Sequence, residues 1–184
     1  MFDLADRQRM EQENQARLFA LLRQIPEGTP QGWARRDLAV GGLMYVGFSQ
    51  ARTGQLICIS SRGQSLIDCS TGEKRYEEEC YDENDLLAYS EALGEEAVPL
   101  AGEGGGGLRT FTRAGDLLER VAPVWPSEQI VFAPQYASWV RTPEVCRIVY
   151  DDFGISTIQA YGFSKCGNFF VIASTSDLTI YLKI

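Results

Sequence analysis

Two stretches of this chain carry the same strand-and-turn pattern 115 residues apart. Gly47-Phe48-Ser49 is matched by Gly162-Phe163-Ser164, and each is followed by a short polar turn closed by Gly54 or Gly167. The runs Leu56-Ile57-Cys58-Ile59-Ser60-Ser61 and Phe169-Phe170-Val171-Ile172-Ala173-Ser174 come next. From there the two copies align without a gap through Ser65-Leu66-Ile67 and Leu178-Thr179-Ile180. Short runs rich in Val, Ile, Phe, Tyr and Cys, with Gly, Ser, Thr and Arg at the corners, read as strands joined by tight turns. The first copy predicts strands over residues 43–49, 56–61 and 65–70, a three-stranded meander, and the second copy predicts another.

Residues 43–70 and 160–184 resemble the strands of WD-repeat and related β-propellers. In that family a Phe-Ser, a glycine turn, an apolar strand, a Ser-x-Asp or Ser-x-Gly turn and a further strand recur. The resemblance implies blade-like sheets. No Trp-Asp pair closes either copy, and the chain beyond the N-terminal helix is too short for the four blades of roughly 40 residues that closure takes. A pair of blade-like sheets packed together, or one larger twisted sheet, fits the length.

The period before the first copy is helical. Leu18, Leu21, Leu22 and Ile25 share one face of a helix within residues 1–25, with Met10 two turns earlier, and Pro26, Gly28 and Pro30 end it. The first half of that helix has little to bury and is expected to project. Between the copies, Asp82 to Leu93 reads as a short helix, capped by Asp82 or Asn84 and ended by Gly94. Residues 110–112 and 117–121 read as a hairpin around Arg113-Ala114-Gly115-Asp116, with a helix capped by Asp116 and Glu119 as the alternative. Further strands are expected over 130–133, 138–140, 145–150 and 155–160. The fold class is therefore α+β, mainly antiparallel β, in one domain. It comprises the helix (1–25), the first β repeat (42–72), an acidic helix or loop segment (73–103) and a β region (108–184) ending in the second repeat.

The net charge of −8 is local. Residues 73–103 hold Lys74 and Arg75 against eleven acidic side chains, a net −9, and the rest of the chain nearly balances. Such a field repels nucleic acid, anionic lipid and phosphorylated ligands and attracts a cationic partner. No signal-peptide pattern or long apolar run is present, so a cytoplasmic location is expected. Five scattered cysteines, Cys58, Cys69, Cys80, Cys146 and Cys166, form no Cys-x-x-Cys pair and read as reduced, mostly packing residues.

With no histidine at all, the chain lacks the imidazole that Ser-His-Asp and Cys-His hydrolysis, many nucleases and most zinc sites require. Carboxylates, a lysine or a cysteine remain. Lys74 and Lys183 lie in polar or terminal surroundings, and Lys165 stands beside Cys166, where a cation lowers a thiol's pKa. Asp151-Asp152 is an adjacent pair that could serve a carboxylate-dependent hydrolase. Adjacent strand residues face opposite ways, however, and Asp-Asp-Phe153-Gly154 is ordinary turn chemistry. The run Gly102 to Gly107 lacks the lysine and hydroxyl residue that close a phosphate loop, and reads as a connector or a place where backbones pass closely. The indoles of Trp33, Trp125 and Trp139 read as packing.

The functional expectation is a non-enzymatic protein-binding protein that needs no cofactor or metal. Its general character is similar to that of bacterial immunity proteins, which bind and block a toxin. Glu77, Glu78, Glu79, Asp82, Glu83 and Asp85 are the candidate contacts for a basic protein partner, with Tyr76 and Tyr81 as aromatic anchors. A carboxylate-dependent hydrolase and a scaffold module joining a larger assembly through strand edges are the alternatives.

Overall fold

The computed structural model describes residues 3–122, 126–151 and 156–184. In chain order these form helix α1 (Leu4–Leu22) and strands β1 (Trp33–Ala39), β2 (Leu43–Phe48), β3 (Gln55–Ser60), β4 (Gly63–Asp68), β5 (Lys74–Glu77), β6 (Tyr81–Asp82), β7 (Leu87–Ala88), β8 (Val98–Pro99), β9 (Ala101–Gly102), β10 (Leu117–Val121), β11 (Gln129–Ala133), β12 (Arg147–Asp151), β13 (Ile158–Phe163), β14 (Phe169–Ser174) and β15 (Asp177–Lys183). Short 3-10 turns lie at Glu91–Leu93 and Pro143–Val145. One N-terminal helix with antiparallel sheets makes this an α+β fold dominated by β. No helix among the described residues is long and apolar enough to cross a membrane. Contacts divide the chain into two compact units, residues 1–30 with 114–155 and residues 31–113 with 156–184.

In the first unit the sheet order is β10-β11-β12. The end of α1 supplies Leu22, with Leu18 and Leu21 at the margin, to a core of Ile25, Val121, Val131, Ala133, Trp139, Cys146 and Ile148. The start of the helix is exposed, and Met10, at 53%, is not on its buried face. Past Leu22 the turns tighten, with Gln24 and Ile25 donating to carbonyls three residues back, before Pro26 stops the helix. The chain then runs beside β12, where Gly28 donates to Ile148 O and Ile148 to Pro26 O.

The second unit holds both copies of the repeat. The first is β2-β3-β4 and the second β13-β14-β15, each an antiparallel meander. Each gains a fourth strand on its third: β5 beside β4, and β1 beside β15. The sheet orders are β5-β4-β3-β2-β9 and β1-β15-β14-β13. Val46, Phe48, Leu56, Cys58 and Ile67 from one sheet meet Phe169, Val171, Leu178 and Ile180 from the other in one core. The opposite face of β2-β3-β4 carries Tyr45, Ile57, Ile59 and Leu66 and is covered by Ala88, Leu93, Val98 and Leu100. Because β3 and β14 are buried on both faces, their sequences read as continuous apolar runs rather than strict alternation. The shared Phe-Ser has one role in both copies. Phe48 and Phe163 are each 2% exposed, Ser49 donates its N–H to Gln55 O, and Ser164 donates to Phe169 O, both at 2.9 Å.

Three local expectations are corrected. Residues 82–93 form no α-helix: β6 and β7 pair as a hairpin, and only the 3-10 turn at Glu91–Leu93 follows. Asp82 Oδ1 accepts the N–H groups of Asn84 (2.8 Å) and Asp85 (3.2 Å), and Leu86 then adopts φ +52°, which ends any right-handed turn. Residues 117–121 pair with β11 rather than with 110–112. The tie is made at Gly115-Asp116, where Tyr136 donates to Gly115 O (2.7 Å) and Gln135 to Asp116 Oδ1 (3.2 Å). Residues 138–140 are a turn, because the N–H groups of Arg141 and Thr142 both bond Ser138 O, and Trp139 is thereby set into the core.

Candidate functional site

Strand β5 forms one edge of its sheet. Asp68 donates its N–H to Glu73 O at 3.0 Å, which sets the phase of the antiparallel ladder. Arg75 and Glu77 therefore direct their main-chain groups to β4, and Lys74 and Tyr76 direct theirs to the open side. Among the described residues no hydrogen bond reaches the main-chain N–H or C=O of Lys74 or Tyr76.

A groove of about 890 Å³ lies beside this strand. One side is β5 and its continuation, from Arg75 and Tyr76 through Glu77, Glu78 and Glu79 to Cys80, and the other is residues 89–92 with Gly94. The two sides are held together from below. Gln64 on β4 donates its side-chain amide to Tyr89 O and, at 3.5 Å, to the Glu77 carboxylate.

Of the carboxylates expected to meet a partner, Glu77 is half-buried and engaged internally. Arg75 bonds it directly. Burial works to raise the Glu77 pKa, but the Arg75 guanidinium, the Ser90 hydroxyl beside it and the Gln64 amide outweigh burial and hold it below its ordinary value. Glu78 and Glu79 are exposed on the groove wall and are joined there by Glu91. Arg75, the one cation among the lining residues, is thus committed to Glu77.

Tyr76 is 59% exposed, with Lys74 Nζ 4.7 Å from its ring centroid. Tyr81 is half-buried, packs at 6.3 Å on Tyr45 against the apolar cluster, and lies outside the groove lining. Asp82, Glu83 and Asp85 are exposed at the β6–β7 turn, also away from the lining. The structure therefore brings together Tyr76, Glu77, Glu78 and Glu79, and adds Tyr89, Ser90 and Glu91, which sequence reasoning missed. Alternation through Ala88-Tyr89-Ser90-Glu91 was the available signal, and reading this stretch as a helix concealed it.

The other sequence candidates fall elsewhere. Lys165 Nζ donates to Gln50 O at 3.3 Å, in the matching turn of the first repeat, and so is turned to that carbonyl. Glu96 closes the first of these turns, accepting from Ser49 Oγ (2.6 Å) and from the N–H groups of Gln50 and Ala51. All five cysteines are free; burial pushes Cys58 and Cys69 up to about 12 and Cys146 up to about 11, while Cys80 and Cys166 are exposed. Asp151 accepts from the Gln129 amide at 2.6 Å, and Asp152 lies outside the described residues, as does Trp125.

The glycine stretch is a close approach of backbones. A Cβ on Gly102 would stand 1.9 Å from Met44 O, and one on Gly106 2.1 Å from Leu100 O. Trp33 is buried in a ring cluster with Phe163 and Phe170, where Phe170 also stacks on Tyr181 at 4.2 Å. Among the described residues no group of three Cys, Asp or Glu side chains is placed to hold a metal ion. No family model, no curated protein and no solved structure matches this chain.

Proposed function

We propose that this chain is a protein-binding protein of the cytoplasm, non-enzymatic, whose acidic groove receives a basic protein partner. The observation that carries the reading is the composition of the groove. Glu78, Glu79 and Glu91 line it, the one cation among the described lining residues, Arg75, is paired with Glu77, and the exposed rings of Tyr76 and Tyr89 stand beside them. Carboxylates at the rim steer a cationic partner and raise the association rate by ~10- to 1000-fold, and tyrosines supply contact area at little cost in side-chain entropy. Occlusion of a basic active site, the manner in which bacterial immunity proteins neutralise toxins, is one form such binding takes.

The test is affinity capture from the native organism in low and high salt, with the product of the neighbouring gene tried first as a purified partner. One basic protein should be retained at low salt and released at high salt. It should be lost with Glu78→Lys, Glu79→Lys and Glu91→Lys combined, and kept with Glu83→Lys and Asp85→Lys. Equal loss from both sets would mean a diffuse charge effect, and retention by both would remove the groove from the account.

A further inference from the structure

The open edge of β5 defines how a partner would seat. We infer that the groove takes an extended, basic segment of another protein as an added strand, antiparallel or parallel to β5, and this inference rests on the acidic-groove reading above. Four main-chain groups, the N–H and C=O of Lys74 and Tyr76, point to the open side, and no hydrogen bond reaches them among the described residues. Strand edges with free main-chain groups are templates for another strand, and the side chains alongside then select which strand is admitted.

Here the selection is electrostatic. Glu78, Glu79 and Glu91 line the groove beside the edge, Arg75 is paired with Glu77, and Lys74 on the edge lies against the Tyr76 ring. The Ser90 hydroxyl, 3% exposed, lines the same groove beside the Glu77 carboxylate. Two copies of this chain would each bring a 73–103 segment of net charge −9, and that long-range repulsion disfavours a second copy as the occupant. A lysine- or arginine-bearing strand meets the opposite field and supplies the missing donors and acceptors.

The probe is a fluorescent decapeptide of alternating lysine and threonine, compared with the same sequence methylated on every backbone nitrogen. Charge and side chains are unchanged, but the methylated peptide cannot donate to a ladder. At low salt the unmethylated peptide should bind at least 10-fold more tightly and slow hydrogen exchange at the amides of Lys74 and Tyr76. Tyr76→Pro removes one outward N–H while leaving the bonds to β4 in place, and should bring the unmethylated peptide down to the methylated one's affinity. Equal binding of the two peptides, with unchanged exchange at Lys74 and Tyr76, overturns strand addition. The acidic-groove reading survives that result if both peptides are lost with Glu78→Lys, Glu79→Lys and Glu91→Lys. If neither peptide binds, both readings fall together.

Discussion

Glu96 shows how one carboxylate of the acidic segment serves the fold rather than a partner. Its oxygens accept from Ser49 Oγ and from the Gln50 and Ala51 N–H groups, donors that the β2–β3 turn would otherwise leave open. Burial works to raise its pKa, and these bonds, with the Lys165 charge nearby, outweigh it, so the folded value lies below the ordinary value near 4.5. A depressed folded pKa stabilises the fold above the unfolded value and loses that contribution as pH falls through the folded one. Glu96→Gln should therefore lower stability by about 1–2 kcal/mol at pH 7. The gap between variant and parent should close as the pH falls below that ordinary value. Urea melts at neutral and acidic pH measure it, and a gap independent of pH would assign the loss to packing instead.

Among the elements, legibility followed how many structures a pattern permits. The runs of β3 and β14 are short, β-branched and aromatic, and bounded by glycine turns, so only a strand buried on both faces satisfies them. The stretch 82–93 was ambiguous, because Leu86, Leu87 and Leu93 fit a helical face as well as a hairpin folded onto an apolar sheet. The Asp82 side chain and the left-handed Leu86 decided for the hairpin, and neither is visible as a periodicity. The same ambiguity divided the site: Tyr76 to Glu79 could be read from charge, whereas Tyr89 and Glu91 arrive only when the hairpin brings them back. Asp82→Ala should cost about 1 kcal/mol. It should also speed exchange of the Tyr89 amide, which bonds Cys80 O at 2.8 Å across the base of the hairpin. A gain of helical circular dichroism in this variant would count against that account.

On the scale of the whole chain, the second unit is closed by its most distant parts. β1 pairs with β15 along its full length, from Trp33 opposite Lys183 to Ala39 opposite Asp177, so the sheet of the second repeat is completed by a strand that precedes the first. Pairings of such separation demand loop closure before they return any stability, which makes folding slow and dependent on the last strand. That strand also carries much of the core, since Leu178, Ile180 and Tyr181 are fully buried. At roughly 1.5–3 kcal/mol for each large apolar side chain withdrawn from water, removing these three alone takes away much of the roughly 5–15 kcal/mol that holds an ordinary domain folded. Among the described residues, β1 would lose its only paired neighbour as well. Deletion of residues 177–184 should therefore abolish cooperative thermal unfolding of the second unit, read by near-ultraviolet circular dichroism from its Trp33, Phe170 and Tyr45 environments. Adding the missing segment back as a separate peptide should restore the transition in a concentration-dependent way. A sharp melt in the truncated chain without the peptide would mean that the first repeat folds by itself, and that the internal duplication records two independent sheets rather than one interlocked unit.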